Sequence, residues 1–152
     1  MRKILLVAAM VFAGYVYFNN QHPNEAVQIE APSSAPRQSE ATAAATIHNA
    51  IANKKSKVQV SGQGVVVKLL PDDNQGGRHQ KFIVKLATGE TLLIAHNIDL
   101  ASRIHGLNEG DPIQFHGEYE WNERGGVVHW THKDPHGSHL SGWLQHQGET
   151  YQ

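Results

Sequence analysis

Val58-Gln59-Val60-Ser61-Gly62-Gln63-Gly64-Val65-Val66-Val67-Lys68-Leu69-Leu70 carries a strand signal interrupted by two glycines. Val58 and Val60 alternate with polar residues, the period of a strand with one buried face, and the apolar run resumes at Val65 after Gly62 and Gly64. Glycine inside a strand marks a bulge or a bend, since it has no side chain to pack and tolerates a coiled backbone. The expectation is one long strand bent in its middle, so that a single segment serves two sheets.

Working outward from that strand, residues 71–77 are dense in turn formers. Residues 79–86 then set Phe82, Val84 and Leu86 on one face and Lys81 and Lys85 on the other. Thr88-Gly89 makes a tight turn, and residues 91–98 run almost wholly apolar, as a central strand does. Asn97 or Asp99 then caps a short helix in which Leu100, Ile104 and Leu107 fall at i, i+4 and i+7, with Gly106 as its stop. Ile113, Phe115, Gly117, Tyr119 and Trp121 alternate with Gln114, His116, Glu118 and Glu120, and residues 122–126 turn the chain into a fifth strand over 127–133. The expected core is Leu70, Phe82, Ile94, Leu100, Ile104, Phe115, Tyr119 and Trp130.

The fold class is therefore mainly β. The order β-β-β-α-β-β, with a long kinked first strand and a helix between strands three and four, resembles the OB-fold, a five-stranded and partly open barrel. The turn Leu107-Asn108-Glu109-Gly110-Asp111 before strand four adds to the resemblance. A plain β-sandwich is the alternative.

Toward the N-terminus, the basic Met1-Arg2-Lys3 precedes residues 4–18, an uncharged apolar run. That pattern reads as an export or anchor signal. Val11-Phe12-Ala13 is a poor cleavage site, and Tyr15, Tyr17 and Phe18 suit an aromatic belt, so the expectation is an uncleaved anchor with Arg2 and Lys3 on the cytoplasmic side. The domain would then stand in the periplasm or outside the cell, with secretion after cleavage as the alternative. Residues 19–41, with Pro23, Pro32 and Pro36, read as a linker, and residues 42–56, with Ile47 and Ile51 four apart, as a short helix leading into a domain over 57–152.

Composition excludes several classes of chemistry. With no cysteine, disulfides, thiolate metal sites and cysteine nucleophiles are ruled out, so any metal rests on histidine and carboxylate. The net charge is −1. From residue 56 onward eight Lys and Arg stand against eleven Asp and Glu, which disfavours nucleic acid as a partner. Nine of the eleven histidines also lie beyond residue 56, and they are the main chemical clue.

His129, His132, Asp134, His136 and His139 fall within eleven residues and are candidate ligands for a divalent metal such as zinc, or else solvated histidines. Strand parity makes a sharper pair. If Trp121 lies opposite Gly126, Glu118 faces His129 and His116 faces Thr131, all on the side away from Phe115, Tyr119 and Trp130. Glu118 and His129 are thus candidate catalytic residues, as base and orienter or as a metal's supporting shell, and a surface ion pair is the plain alternative. OB domains commonly bind ligands between the loop joining strands one and two and that joining strands four and five. By that resemblance the ligand-binding candidates are Asp72, Asp73, Arg78 and His79 on the first loop and Asn122 and Arg124 on the second. His96, after its apolar run, reads as a buried histidine bonded to backbone.

The strings His79-Gln80-Lys81-Phe82, Leu92 to Leu100, Gly117-Glu118-Tyr119-Glu120-Trp121-Asn122 and Gly125 to Pro135 resemble a bacterial family of exported proteins whose domain has no established activity. The strand order is also similar to that of small periplasmic OB-fold proteins, which implies a binding module without naming its ligand. Three functions follow as expectations: an anchored module for a small molecule, glycan, peptide or metal; a His/carboxylate metal-dependent hydrolase acting on phosphodiesters; and a structural subunit of an envelope complex, with Trp143 and Tyr151 as exposed anchors.

Overall fold

The computed structural model describes residues 35–74 and 76–152. The expected anchor over residues 4–18 and most of the expected linker lie outside these, and no helix among the described residues is long and apolar enough to cross a membrane. Among the described residues one helix, α1 (Ala35–Ala52), precedes seven strands: β1 (Val58–Asp73), β2 (His79–Leu86), β3 (Thr91–Asn97), β4 (Pro112–Glu120), β5 (Val127–His129), β6 (Trp143–His146) and β7 (Glu149–Tyr151). The fold is mainly β, as the alternation implies.

β1 is the long bent strand. Its first half pairs with β4 from Val58 to Val65 and its second half with β2 from Gly64 to Asp73, so Gly64 has partners on both sides, Ile113 and Leu86. A Cβ at Gly64 would stand 2.5 Å from the Lys85 carbonyl oxygen, which explains why only glycine fits where the strand changes partner. β2 pairs with β3, β3 runs parallel to β5, and β5 pairs with β4, so the pairings lead from β1 round through β2, β3, β5 and β4 back to β1.

Inside that ring Phe82, Val84, Leu92, Ile94, Ile104, Phe115, Tyr119, Val128 and Leu144 are buried, and α1 contributes Ile47 and Ala50 to the same cluster. At Gly62 an added Cβ would meet Phe115 at 2.6 Å and Ile47 at 2.9 Å, so the missing side chain is what lets α1 seat against β1 and β4. The helix begins within the stretch expected to be linker and places Pro36 in its first turn, where its missing N–H is not needed. It ends in a paired C-terminal motif: Lys55 N–H donates to Ala50 O, Lys54 N–H donates to Ile51 O, and Lys54 takes a left-handed φ of 51°.

Four expectations need correction. No helix forms between β3 and β4. Instead the Gln80 side chain both accepts from Ile104 N–H at 2.9 Å and donates to Ile104 O at 3.1 Å, while His96 Nε2–H donates to Ser102 O. Two buried side chains thus satisfy backbone groups that a helix would otherwise have paired internally, and Leu100 is left 48% exposed. The five expected strands are joined by β6 and β7, which puts Tyr151 into the core at 8% exposure and removes it as an exposed anchor. Leu70 is only half-buried.

The fourth correction concerns β5, which stops at His129 because Trp130 adopts a φ of 53°. The chain leaves the sheet there and returns at β6 on the same edge of β4, in continuing register. Glu118 faces His129, and the place opposite His116, expected for Thr131, is taken by Trp143. Residues 131–142 are an insertion into one interrupted strand, closed at its neck by Gly142 N–H donating to His132 O at 2.8 Å. Trp130 therefore leaves the core and packs against His139, ring centres 4.0 Å apart and planes tilted by 33°.

Candidate functional site

The outer face of β4 and β5 gathers one compact donor set. Glu118 and Glu120 point outward because Ile113, Phe115, Gly117 and Tyr119 occupy the inward positions, and Glu118 lies opposite His129 in the ladder. Gly117 allows this closeness, since a Cβ there would collide with the His129 carbonyl. One donor atom from each of Glu118, Glu120 and His129 lies within 4.8 Å of the other two. His129 Nε2 is 3.8 Å from Glu118 Oε1, too far for a hydrogen bond, and it is the one buried side-chain nitrogen or oxygen without a partner among the described residues.

The electrostatics prepare a neutral ligand nitrogen. Burial pushes the His129 imidazole below its usual pKa, against the upward pull of Glu118 and Glu120, so the ring is uncharged at neutral pH. A buried unpartnered nitrogen costs about 1–3 kcal/mol unless something fills its lone pair. A divalent cation would do so: imidazole and carboxylate together suit zinc, and two donors on one zinc at about 2.1 Å lie at most about 4.2 Å apart, a small adjustment from the geometry found.

The other expected metal residues have different tasks. Asp134, its side chain 3% exposed, accepts from His136 N–H, His139 N–H and the Ser138 hydroxyl. Burial alone would raise its pKa, but these donors outweigh it and hold the carboxyl well below the usual range. It is the knot of the inserted loop. His132 is buried and donates from Nδ1 to Lys133 O, His139 donates from Nδ1 to Leu140 O, and both rings pack against Trp130. His136 is exposed. None of these four joins a group of three ligand atoms among the described residues.

The two loops expected to hold a ligand lie at opposite ends of β3. His79 pairs with Asn97, whereas Gly126 O accepts from Leu93 N–H and Gly125 lies against Thr91. A seven-residue strand spans about 20 Å, so only an extended ligand would touch both loops. Their residues are also engaged locally: Asp72 with Arg103, Asp73 with Lys81, and Arg78 with Asp99. His79 Nδ1–H donates to Gly77 O, and Asn122 Oδ1 accepts from Arg124 N–H and Gly126 N–H. The Arg124 side chain is exposed.

His96 is fully buried. Its Nε2–H donates to Ser102 O and its Nδ1 accepts from the Thr131 hydroxyl, and burial drives its pKa down to about 4. Glu120 was absent from the candidates read off the sequence, although its position two residues from Glu118 on one strand already gave it the same face. No curated protein matches the chain. Residues 30–152 match the family described as protein of unknown function DUF3465, and the chain belongs to that family.

Proposed function

We propose that the chain is an exported, membrane-held binding module built on an OB-type barrel, and that the barrel carries a divalent cation of the zinc class on Glu118, Glu120 and His129. The single observation that carries the metal reading is the buried His129 Nε2, unpartnered and turned toward Glu118. The ring of pairings among β1, β2, β3, β5 and β4 supports the barrel. The basic start and apolar residues 4–18 support export and anchorage, and fractionation of cells tests that part.

A metal-dependent hydrolase is the second reading. It is favoured by the ligand count, since three protein donors leave a position for water, as catalytic zinc sites do. Zinc titration of the chelator-stripped protein by calorimetry decides the metal. The expected result is one site per chain, weakened at least tenfold by Glu118→Gln, and the absence of saturable binding overturns the proposal. Zinc-dependent turnover of an activated phosphodiester, lost in the same variant, would select the hydrolase.

A further inference from the structure

The outer face of β1, β4 and β6 carries a second arrangement, distinct in chemistry from the carboxylate pair. Register places Gln63, Gln114 and Gln145 in one row across the three strands and Ser61, His116 and Trp143 in the next. Partners in a ladder share a face, so all six side chains look outward. The strands are about 4.8 Å apart, which gives each row a length of about 10 Å.

Ser61, Gln63, Gln114 and Trp143 from these rows line a cleft of ≈ 940 Å³ walled on one side by residues 39–47 of α1, while Gln63, Gln114 and Gln145 line a neighbouring recess of ≈ 760 Å³ that also shares Leu86 and Ala87 with it. The two therefore meet at the glutamine row. Across their whole lining the charged residues are Glu40 in one and Lys85 in the other, so an anionic or cationic ligand would find little to pair with. Gln63 and Gln114 are exposed, and each amide offers an acceptor and two donors.

The aromatic member of the floor is held in place. His116 donates from Nδ1 to Ser61 Oγ at 2.7 Å and accepts at Nε2 from the Gln59 amide at 2.9 Å, and its ring stacks on Trp143 with centroids 6.0 Å apart and planes 21° from parallel. The tautomer and the ring plane are thus fixed, and with them the position of the half-buried indole. A fixed aromatic ring beside a row of uncharged amides matches the two needs of a sugar: an apolar C–H face to cover, and hydroxyl and amide groups to bond.

We propose that this face is a binding site for an uncharged saccharide chain bearing acetamido groups, lying along the glutamine row with a ring on Trp143. The acetamido group is the complement of a primary-amide ladder, since each side supplies both a donor and an acceptor.

The test is calorimetric titration of the full chain with chitohexaose in the presence of EDTA, which separates this site from the metal centre. Saturable binding is expected, with cellohexaose, which lacks the acetamido groups, at least tenfold weaker. Trp143→Ala should lower the affinity for chitohexaose at least tenfold. Because removing an indole can disturb β6, Gln63→Leu/Gln114→Leu is the second variant: both positions are exposed, and circular dichroism should be unchanged while affinity falls at least tenfold. No heat with chitohexaose, equal affinity for cellohexaose, undiminished binding in the double variant, or binding abolished by EDTA would each overturn the proposal.

Discussion

Two regions of this domain carry metal-binding residue types, and they are used in opposite ways. In the loop of residues 131–142 such residues are dense in sequence, yet Asp134 spends its oxygens on the loop's own N–H groups and the rings of His132 and His139 pack on Trp130. On β4 and β5 they are sparse, yet the ladder sets Glu118 against His129, with Glu120 one outward position away. Proximity in sequence gives a flexible segment the means to satisfy itself. Convergence without self-satisfaction comes from a rigid pair of strands, whose backbone is already bonded and whose outward side chains have no local carbonyls to reach.

The largest effect should come from the core that supports both regions. Phe82→Ala is expected to cost about 3–5 kcal/mol in urea unfolding, since the ring is fully buried, and to lower the loop and the strand pair together. A loss confined to one region would mean that they rest on separate cores.

Acid comes next. His96 is neutral in the fold with a pKa of about 4 against 6.5 when free, so the unfolded chain binds the extra proton between those values. Its contribution is complete above pH 6.5 and is lost as the pH falls toward about 4, at a cost of about 3 kcal/mol. His116 and His129, both lowered by burial, act in the same direction. Stability measured at pH 7.5 and 4.5 checks this, and a flat profile would show that the buried ring charges freely in place.

A pair of variants separates the two regions directly. Glu118→Gln should reduce zinc affinity at least tenfold, about 1.4 kcal/mol or more, whereas His136→Ala should leave it within about twofold. Equal losses would return the metal to the loop. The smallest effect is local: Asp134→Asn should speed amide exchange at His136 and His139, whose N–H groups it accepts, without changing exchange in β4.

Much of the strand plan was legible. Alternation is a local signal, and it placed β2, β3 and β4 and the facing of Glu118 and His129, because a short turn between two strands fixes their parity. The bend of β1 was legible from Gly62 and Gly64, since the absence of a Cβ is written in the sequence. The apparent helix at residues 99–107 was not: its stripe is real as a pattern, but Gln80 and His96, far away in the chain, supply the hydrogen bonds that make helix formation unnecessary. The insertion after His129 was equally hidden, because Trp130 carries no sign that it will take a left-handed backbone.

The class of fold, the absence of thiol chemistry and the faces of the regular strands depend on residue type and near neighbours, and so can be read from the amino-acid order alone. Tertiary contacts set which buried imidazole nitrogen among the described residues lacks a hydrogen bond, which carboxylate ties its own loop, and that three glutamines from distant strands form one row. These depend on which groups meet after the chain has closed on itself, and on which backbone donors have already been satisfied by the time a side chain arrives.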